Sequence, residues 1–216
     1  MKTIAFIFAR GGSKGLPNKN IKLLGGIPLI GHSILSAKEN NSISAIYVST
    51  DSQKIKDVAI ELGANIIDRP DNLATDNSPE WFSWRHAVEE LGDKGIKFDC
   101  FVSLPATAPL RSDDDINQCI LALKEGVDMV ITASHASRNP SFNMIHRDKD
   151  GLSKLIMNSD FYRRQDAPQA FDLTTVAYVT RPEYILNKKN IFEGNTYSVI
   201  IPKERAIDID DKIDFF

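Results

Sequence analysis

Apolar positions along the chain alternate between two rhythms. "TIAFIF" (3–8) is a continuous apolar run ending at a glycine turn, the pattern of a strand buried on both faces and hence of a parallel sheet. "PLIGHSILSAKEN" (28–40) instead places Leu29, Ile30, Ile34 and Ala37 on one helical face. The two rhythms then repeat. A strand at 45–50 precedes a helix capped by Asp51 and closed before Gly63. A strand at 65–70, stopped by Pro70, precedes a helix with Ser78 as N-cap and Pro79 in its first turn. A strand at 99–106, a helix at 113–125 opened by three acids and a strand at 128–134 complete the series. Such alternation predicts an α/β fold with a doubly wound, mostly parallel sheet.

From about residue 138 the alternation breaks. "SFNMIHRDKDGLSKLI" reads as two short strands joined at "KDG", "LTTVAYVT" (173–180) returns as a β run, and Pro182 starts a short helix. In "AIDIDDKIDFF" the period of two predicts a half-buried strand, with Ile207 and Ile209 on one side and Asp208 and Asp210 on the other. The expected organisation is one domain over 1–216, with 138–172 as an excursion.

Composition narrows the function classes. With 42% apolar and 25% charged residues the chain is ordinary for a globular protein, and its net charge of -3 gives no broad attraction to nucleic acid or an acidic membrane. Phosphate binding must therefore be local. Cys100 and Cys119 lie in apolar segments and are expected as reduced, buried thiols. The apolar run at the N-terminus is too short for a signal peptide and no stretch reaches spanning length, so a cytoplasmic location is expected.

Ligands of open α/β sheets bind at the carboxyl ends of the strands. After the first strand comes "ARGGSKGLPNKN", which lacks both the dinucleotide fingerprint and the Walker A pattern. Its glycines let backbone N–H groups approach an anion, and Arg10, Ser13, Lys14 and Lys19 suit a triphosphate. A surface turn with solvated cations is the other reading. Asp208 and Asp210 on one face of an extended segment suit a hard cation such as Mg²⁺, which takes one or two carboxylates and fills its shell with phosphate and water. An edge strand kept soluble by its charge is the alternative there. Arg163 and Arg164, beside Gln165, suit a carboxylate, with a solvated pair as the other reading. The four histidines have no metal-ligand spacing, and Trp81, Phe82 and Trp84 read as core or subunit interface.

The motifs "ARGGSKGLPNKNI", "VSTDS", "DRPDNLATD", "APLR", "PQAF" and "IDIDDKIDF" resemble, in order and spacing, the acylneuraminate cytidylyltransferases, or CMP-sialic acid synthetases. The resemblance runs from residue 4 to the end. It implies a Rossmann-like core, a homodimer, and transfer of CMP from CTP to a nonulosonic, sialic acid-like 2-keto sugar acid, with Mg²⁺ and release of pyrophosphate. It assigns catalysis to Lys14, Lys19, Asp208 and Asp210, the last two as metal ligands. Nucleotide binding falls to Ala9, Arg10, Gly11, Gly12, Ser13, Asn20, Arg69 and Ser78. Sugar binding falls to Arg164, Gln165, Tyr178, Asp172 and Pro105, with the 138–172 excursion serving dimerisation and the sugar site. The Kdo cytidylyltransferases share the fold but differ in the first loop, and a non-catalytic nucleotide-binding homologue is a further alternative.

The departures from that pattern cluster on the sugar side. Pro105 replaces a glutamine, Phe142 replaces a lysine contributed by the partner subunit, and Asp172, Leu173, Thr174 and Thr175 replace "R-P-N-G". Glu80 stands where a serine is usual in the cytosine-side loop. These changes imply a sugar other than plain N-acetylneuraminate.

Overall fold

The computed structural model describes every residue except Ser13, Lys14, Ser159 and Tyr162, and every side chain of the rest except that of Arg164. The elements follow in chain order. After β1 (Thr3–Phe8), a short hairpin of β2 (Leu23–Leu24) and β3 (Ile27–Pro28) leads into α1 (Leu29–Glu39). Next come β4 (Ala45–Thr50), α2 (Gln53–Glu61), β5 (Asn65–Asp68), α3 (Glu80–Asp93), β6 (Cys100–Ser103), α4 (Asp113–Ala122) and β7 (Met129–His135). The hairpin of β8 (Ile145–Arg147) and β9 (Ser153–Leu155) precedes β10 (Phe171–Thr180), α5 (Pro182–Asn187) and β11 (Thr196–Ile200). The main sheet runs β11-β7-β10-β6-β1-β4-β5 and is parallel except for β10, which lies antiparallel to both neighbours.

The continuous apolar run of β1 has its cause in two cores, one on each face of the sheet. Ala5 and Ile7 face a cluster with Ile30 and Ile34 of α1, Ile55 of α2 and Ile116 of α4. Ile4 and Phe6 face an aromatic cluster with Trp81 and Trp84 of α3 and Ile185 of α5. There Phe6 stacks on Phe101 at 4.5 Å between centroids, and Trp84 packs on Phe101 and Tyr178, each at 5.4 Å. The tryptophans are thus core, while Phe82 of the same helix is exposed. Both cysteines are buried and free, and burial pushes their thiols up to about 11 for Cys100 and about 12 for Cys119.

Strand β10 departs from a regular ladder between Thr174 and Val179. Thr174 pairs with Thr132 and Val179 with Val130, so residues 175–178 stand against Ile131 alone. The Thr132 hydroxyl fills the gap, donating to Thr174 O at 3.1 Å and accepting from Thr174 Oγ1 at 2.9 Å and Ala177 N at 3.3 Å. Bulges of this kind redirect side chains beside binding sites.

Arg111 locks the same region from below. Fully enclosed, it donates to Val176 O at 2.8 Å, Ser33 Oγ at 2.6 Å and Pro105 O at 2.5 Å. Burial lowers its pKa to about 9, which leaves the guanidinium charged at neutral pH. Arg111→Met should cost about 2–4 kcal/mol in a denaturant titration, because it strands buried carbonyl acceptors.

Four expectations are corrected. Asp51 is not the cap of α2: Ser52 occupies that position without a side-chain bond, and Asp51 Oδ1 instead accepts from Gly11 N at 2.9 Å. Ser78 is not the cap of α3, because Pro79 holds that place, and Ser78 Oγ is buried with no partner among the described residues. Helix α4 stops at Ala122 rather than 125, and its cap is a box between Ser112 and Asp115. Residues 207–210 form no strand, since no sheet edge is offered to them; Ile209 is buried and Ile207 exposed.

Candidate active site

A cavity of about 560 Å³ opens at the carboxyl ends of the central strands. Its floor comes from β1, whose end delivers Phe8, Ala9 and Arg10, and from the loop after β6, which delivers Pro105, Ala106 and Thr107. Arg69, after β5, and Ser78 and Glu80, before and at the start of α3, form one wall, while Thr175 and Tyr178 of the β10 bulge form another. Gly15, Lys19, Asn20 and Asp210 close the rim.

The turn that brings Lys19 back over the site is built by the chain itself. Asn18 takes a left-handed conformation (φ 56), which asparagine tolerates better than most residues, and the chain then winds one 3₁₀ turn over Lys19–Ile21. Lys19 Nζ donates to Ile209 O at 2.7 Å and pairs with Asp210 Oδ1 at 3.0 Å, and Asn20 Nδ2 holds Arg10 O at 3.1 Å. The segment carrying the two aspartates is fixed to the floor as well, through Ile209 N to Thr107 O at 2.8 Å. Residues 208–210 therefore bridge the loops after β1 and β6.

Gly15 makes that junction possible. A Cβ built there would lie 2.6 Å from Asp210 O, a backbone atom that cannot step aside. Gly15→Ala is expected to push the first loop off the 208–210 segment. Strain on the order of 1–2 kcal/mol corresponds to about tenfold weaker nucleotide binding, which calorimetry would register.

The charges in the cavity are laid out in opposition. Arg10 Nη1 meets Asp76 Oδ1 at 2.5 Å across the mouth. Arg69 is buried, spends its Nη2 on Ser49 O at 2.8 Å and its Nε on Ser49 Oγ at 3.2 Å, and lies 5.6 Å over the Phe8 ring. Desolvation lowers its pKa, with Glu80 and Asp51 acting against that and Arg10 adding to it. Glu80 is an exposed residue that lines the cavity; desolvation of its carboxyl by the surrounding wall raises its pKa, the bond from Trp84 and the charge of Arg69 oppose the rise, and Asp208 adds to it. Tyr178 is pushed up to about 12 by burial first, then by Glu80 and Asp208.

Asp208 and Asp210 are unlike each other. Asp208 Oδ1 is buried with no partner among the described residues, whereas the Asp210 side chain is largely exposed and already paired with Lys19. An orphaned buried carboxylate oxygen beside a second carboxylate fits a hard cation. No group of three His, Cys, Asp or Glu side chains placed to hold a metal occurs among the described residues, so a cation here would complete its shell with ligand and water oxygens.

Of the residues expected from sequence, Ala9, Arg10, Lys19, Asn20, Arg69, Ser78, Pro105, Tyr178 and Asp210 line this one cavity. Ser13, Lys14 and the Arg164 side chain lie outside the described residues. Gly11 sits just outside the cavity, and a Cβ on Gly12 would meet nothing within 4 Å. Gln165 lines a separate cavity of about 220 Å³ with His135, Arg138 and Asn139. Asp172 lies opposite Ser134 at the exposed start of β10 and is not part of the main cavity. Asp76 and Glu80 were missed as site residues; the motif "DRPDNLATD" contains the first, and the departure from serine marked the second.

A family model described as cytidylyltransferase matches residues 4–214, nearly the whole chain. The chain belongs to the cytidylyltransferase family. Among curated relatives, the CMP-N,N'-diacetyllegionaminic acid synthase of Campylobacter jejuni is 34% identical over 97% of this chain and 90% of its own length. An N-acylneuraminate cytidylyltransferase of Streptococcus agalactiae is 31% identical over the whole chain, which spans 52% of that longer protein. In fold this cytidylyltransferase is similar to a CMP:2-keto-3-deoxy-manno-octonic acid synthetase complexed with CTP, at a TM-score of 0.71 and 16% identity over 99% of this chain and 95% of the other. No helix among the described residues is long and apolar enough to cross a membrane.

Proposed function

We propose that this cytidylyltransferase joins CTP to a nonulosonic 2-keto sugar acid, giving the CMP-sugar and pyrophosphate. The observation that carries the reading is the junction of Lys19, Gly15 and Asp210, which sets the first loop against a carboxylate at the mouth of one cavity, with Asp208 two residues away. The similarity to a legionaminic acid synthase over most of both chains supports the class of acid.

The chemistry asks little covalent work of the protein. The anomeric hydroxyl attacks the α-phosphorus, the bond to the pyrophosphate oxygen breaks, and catalysis rests on alignment and charge neutralisation. Arg10 and Lys19, with Ser13 and Lys14 of the same loop, would hold the triphosphate; Arg69 and Ser78 would hold the cytidine end. Asp208 and Asp210 would hold Mg²⁺, which when bound lowers the pKa of a coordinated hydroxyl and spreads the charge of the phosphates. Triphosphate must displace Asp76 from Arg10, so part of the binding energy goes into opening that pair.

The sugar side departs from an N-acetylneuraminate site. Pro105 offers an apolar ring, and its carbonyl is taken by Arg111 and Ser33. Gln165 and Asp172, which do not line the main cavity of their own chain, would belong with Arg164 to the proposed homodimer, where the excursion would reach the partner's sugar. The exposed Ile145, Leu152, Ile156, Met157 and Phe171 of that region support such an interface.

Pyrophosphate release from CTP and Mg²⁺, measured over a panel of acids, tests the function. Turnover should be faster with legionaminic-type acids than with N-acetylneuraminate. Best turnover with N-acetylneuraminate would defeat the altered-sugar part, turnover of Kdo alone would favour the octulosonate alternative, and CTP binding without any turnover would favour a non-catalytic homologue.

A further inference from the structure

Glu80 is a charged group of the main cavity to which the reaction outlined above gives no task. Its Oε1 accepts from Trp84 Nε1 at 3.1 Å, and Trp84 is held between Phe101 and Tyr178 in the aromatic core. One carboxylate oxygen is thus fixed to the wall, which leaves the other for the cavity that the residue lines. The charges around it are mixed. Asp208 is near, both substrates are anions, and the nearby cation Arg69 has spent two of its donors on Ser49.

An acceptor in such a place gains when a ligand brings a donor. A metal ion is the other way to satisfy it, and the experiment below separates the two. Ser78 and Thr175 line the same cavity, but their hydroxyl oxygens are buried and have no partner among the described residues.

We infer that Glu80 determines specificity by accepting a hydrogen bond from an N–H group of the bound substrate. The inference rests on the cytidylyltransferase reading, in which two parts of the substrates carry such a group: the exocyclic amine of cytosine and the amide of an acylamino substituent on the sugar acid. An ionised carboxyl only accepts, whereas the serine of similar sequences both accepts and donates, so Glu80 discriminates more sharply.

Glu80→Gln is the decisive variant, because its amide keeps an oxygen for Trp84 and presents an NH₂ where an acceptor stood. Calorimetry would compare wild type and variant for two ligand pairs: CTP against UTP, and, with CDP present, an acylamino nonulosonic acid against the same acid with hydrogen at that carbon. Wild type should prefer the N–H-bearing member of one pair, and the variant should narrow that preference by about ten- to a hundredfold. Narrowing for the nucleotides assigns Glu80 to the base; narrowing for the acids assigns it to the sugar. Unchanged preferences in both pairs would overturn the inference. A loss confined to Mg²⁺ affinity would overturn it too, making Glu80 a metal ligand. Glu80→Ser gives the same reading if the glutamine variant misfolds. Since binding is measured, a wild type that binds both substrates but turns over no acid would defeat the proposed function and still decide the role of Glu80.

Discussion

Asp208→Asn should lower kcat by about 10²- to 10³-fold at ordinary Mg²⁺ while leaving the melting temperature near that of wild type. Its Oδ1 is buried and unpartnered among the described residues, so replacing it removes no internal hydrogen bond, and the asparagine oxygen can still occupy the same space. An unsatisfied buried carboxylate oxygen calls for a partner, and a bound cation would supply one. Raising Mg²⁺ should recover part of the lost rate in this variant and none in wild type, because the defect lies in the affinity of the site. Activity within a few-fold of wild type at low Mg²⁺ would remove Asp208 from the metal site and shift attention to Asp210.

Lys19→Ala is the second large effect, expected at about 10²-fold in kcat with a smaller change in KM for CTP. The ammonium lies beside the rim, only slightly exposed, and its present partners are Ile209 O and Asp210 Oδ1. When pyrophosphate leaves, charge grows on oxygens that such a cation can reach, so the loss should fall mainly on the transition state. Lysine also ties the 208–210 segment to the first loop, and a structural contribution must be separated. Lys19→Arg keeps the charge and the reach, and should restore a sizeable part of kcat. If Lys19→Ala instead lowered the melting temperature and raised KM with kcat unchanged, the residue would be a tether alone.

Much of this site could be read without coordinates, for a reason visible in β1. A strand buried on both faces must be apolar throughout, so its end is conspicuous, and the glycines and cations that follow stand out against it. The capping assignments failed for the opposite reason. Asp51 and Ser78 have the right residue types just before helices, but Asp51 is engaged by Gly11 N from forty residues away in sequence. Local pattern cannot distinguish a cap from a long-range partner. The alternation of "IDID" gave a true signal of extended chain and a false one of strand. Both edges of the sheet, β5 and β11, lie elsewhere, and the segment takes its bonds from Thr107 and Lys19 instead. Glu80 was legible only as an oddity: Trp84 stands one helical turn away, but Asp208 meets it only through the fold.

The anchoring of Pro105 has an evolutionary consequence. Arg111 and Ser33 grip its carbonyl from within the protein, so the backbone at position 105 is held by residues that never see the substrate. Its side chain can then be exchanged without disturbing the neighbouring strands. A lineage with this arrangement can vary the cavity lining at this position by trading single residues on a fixed frame, and inserting or deleting chain is not required.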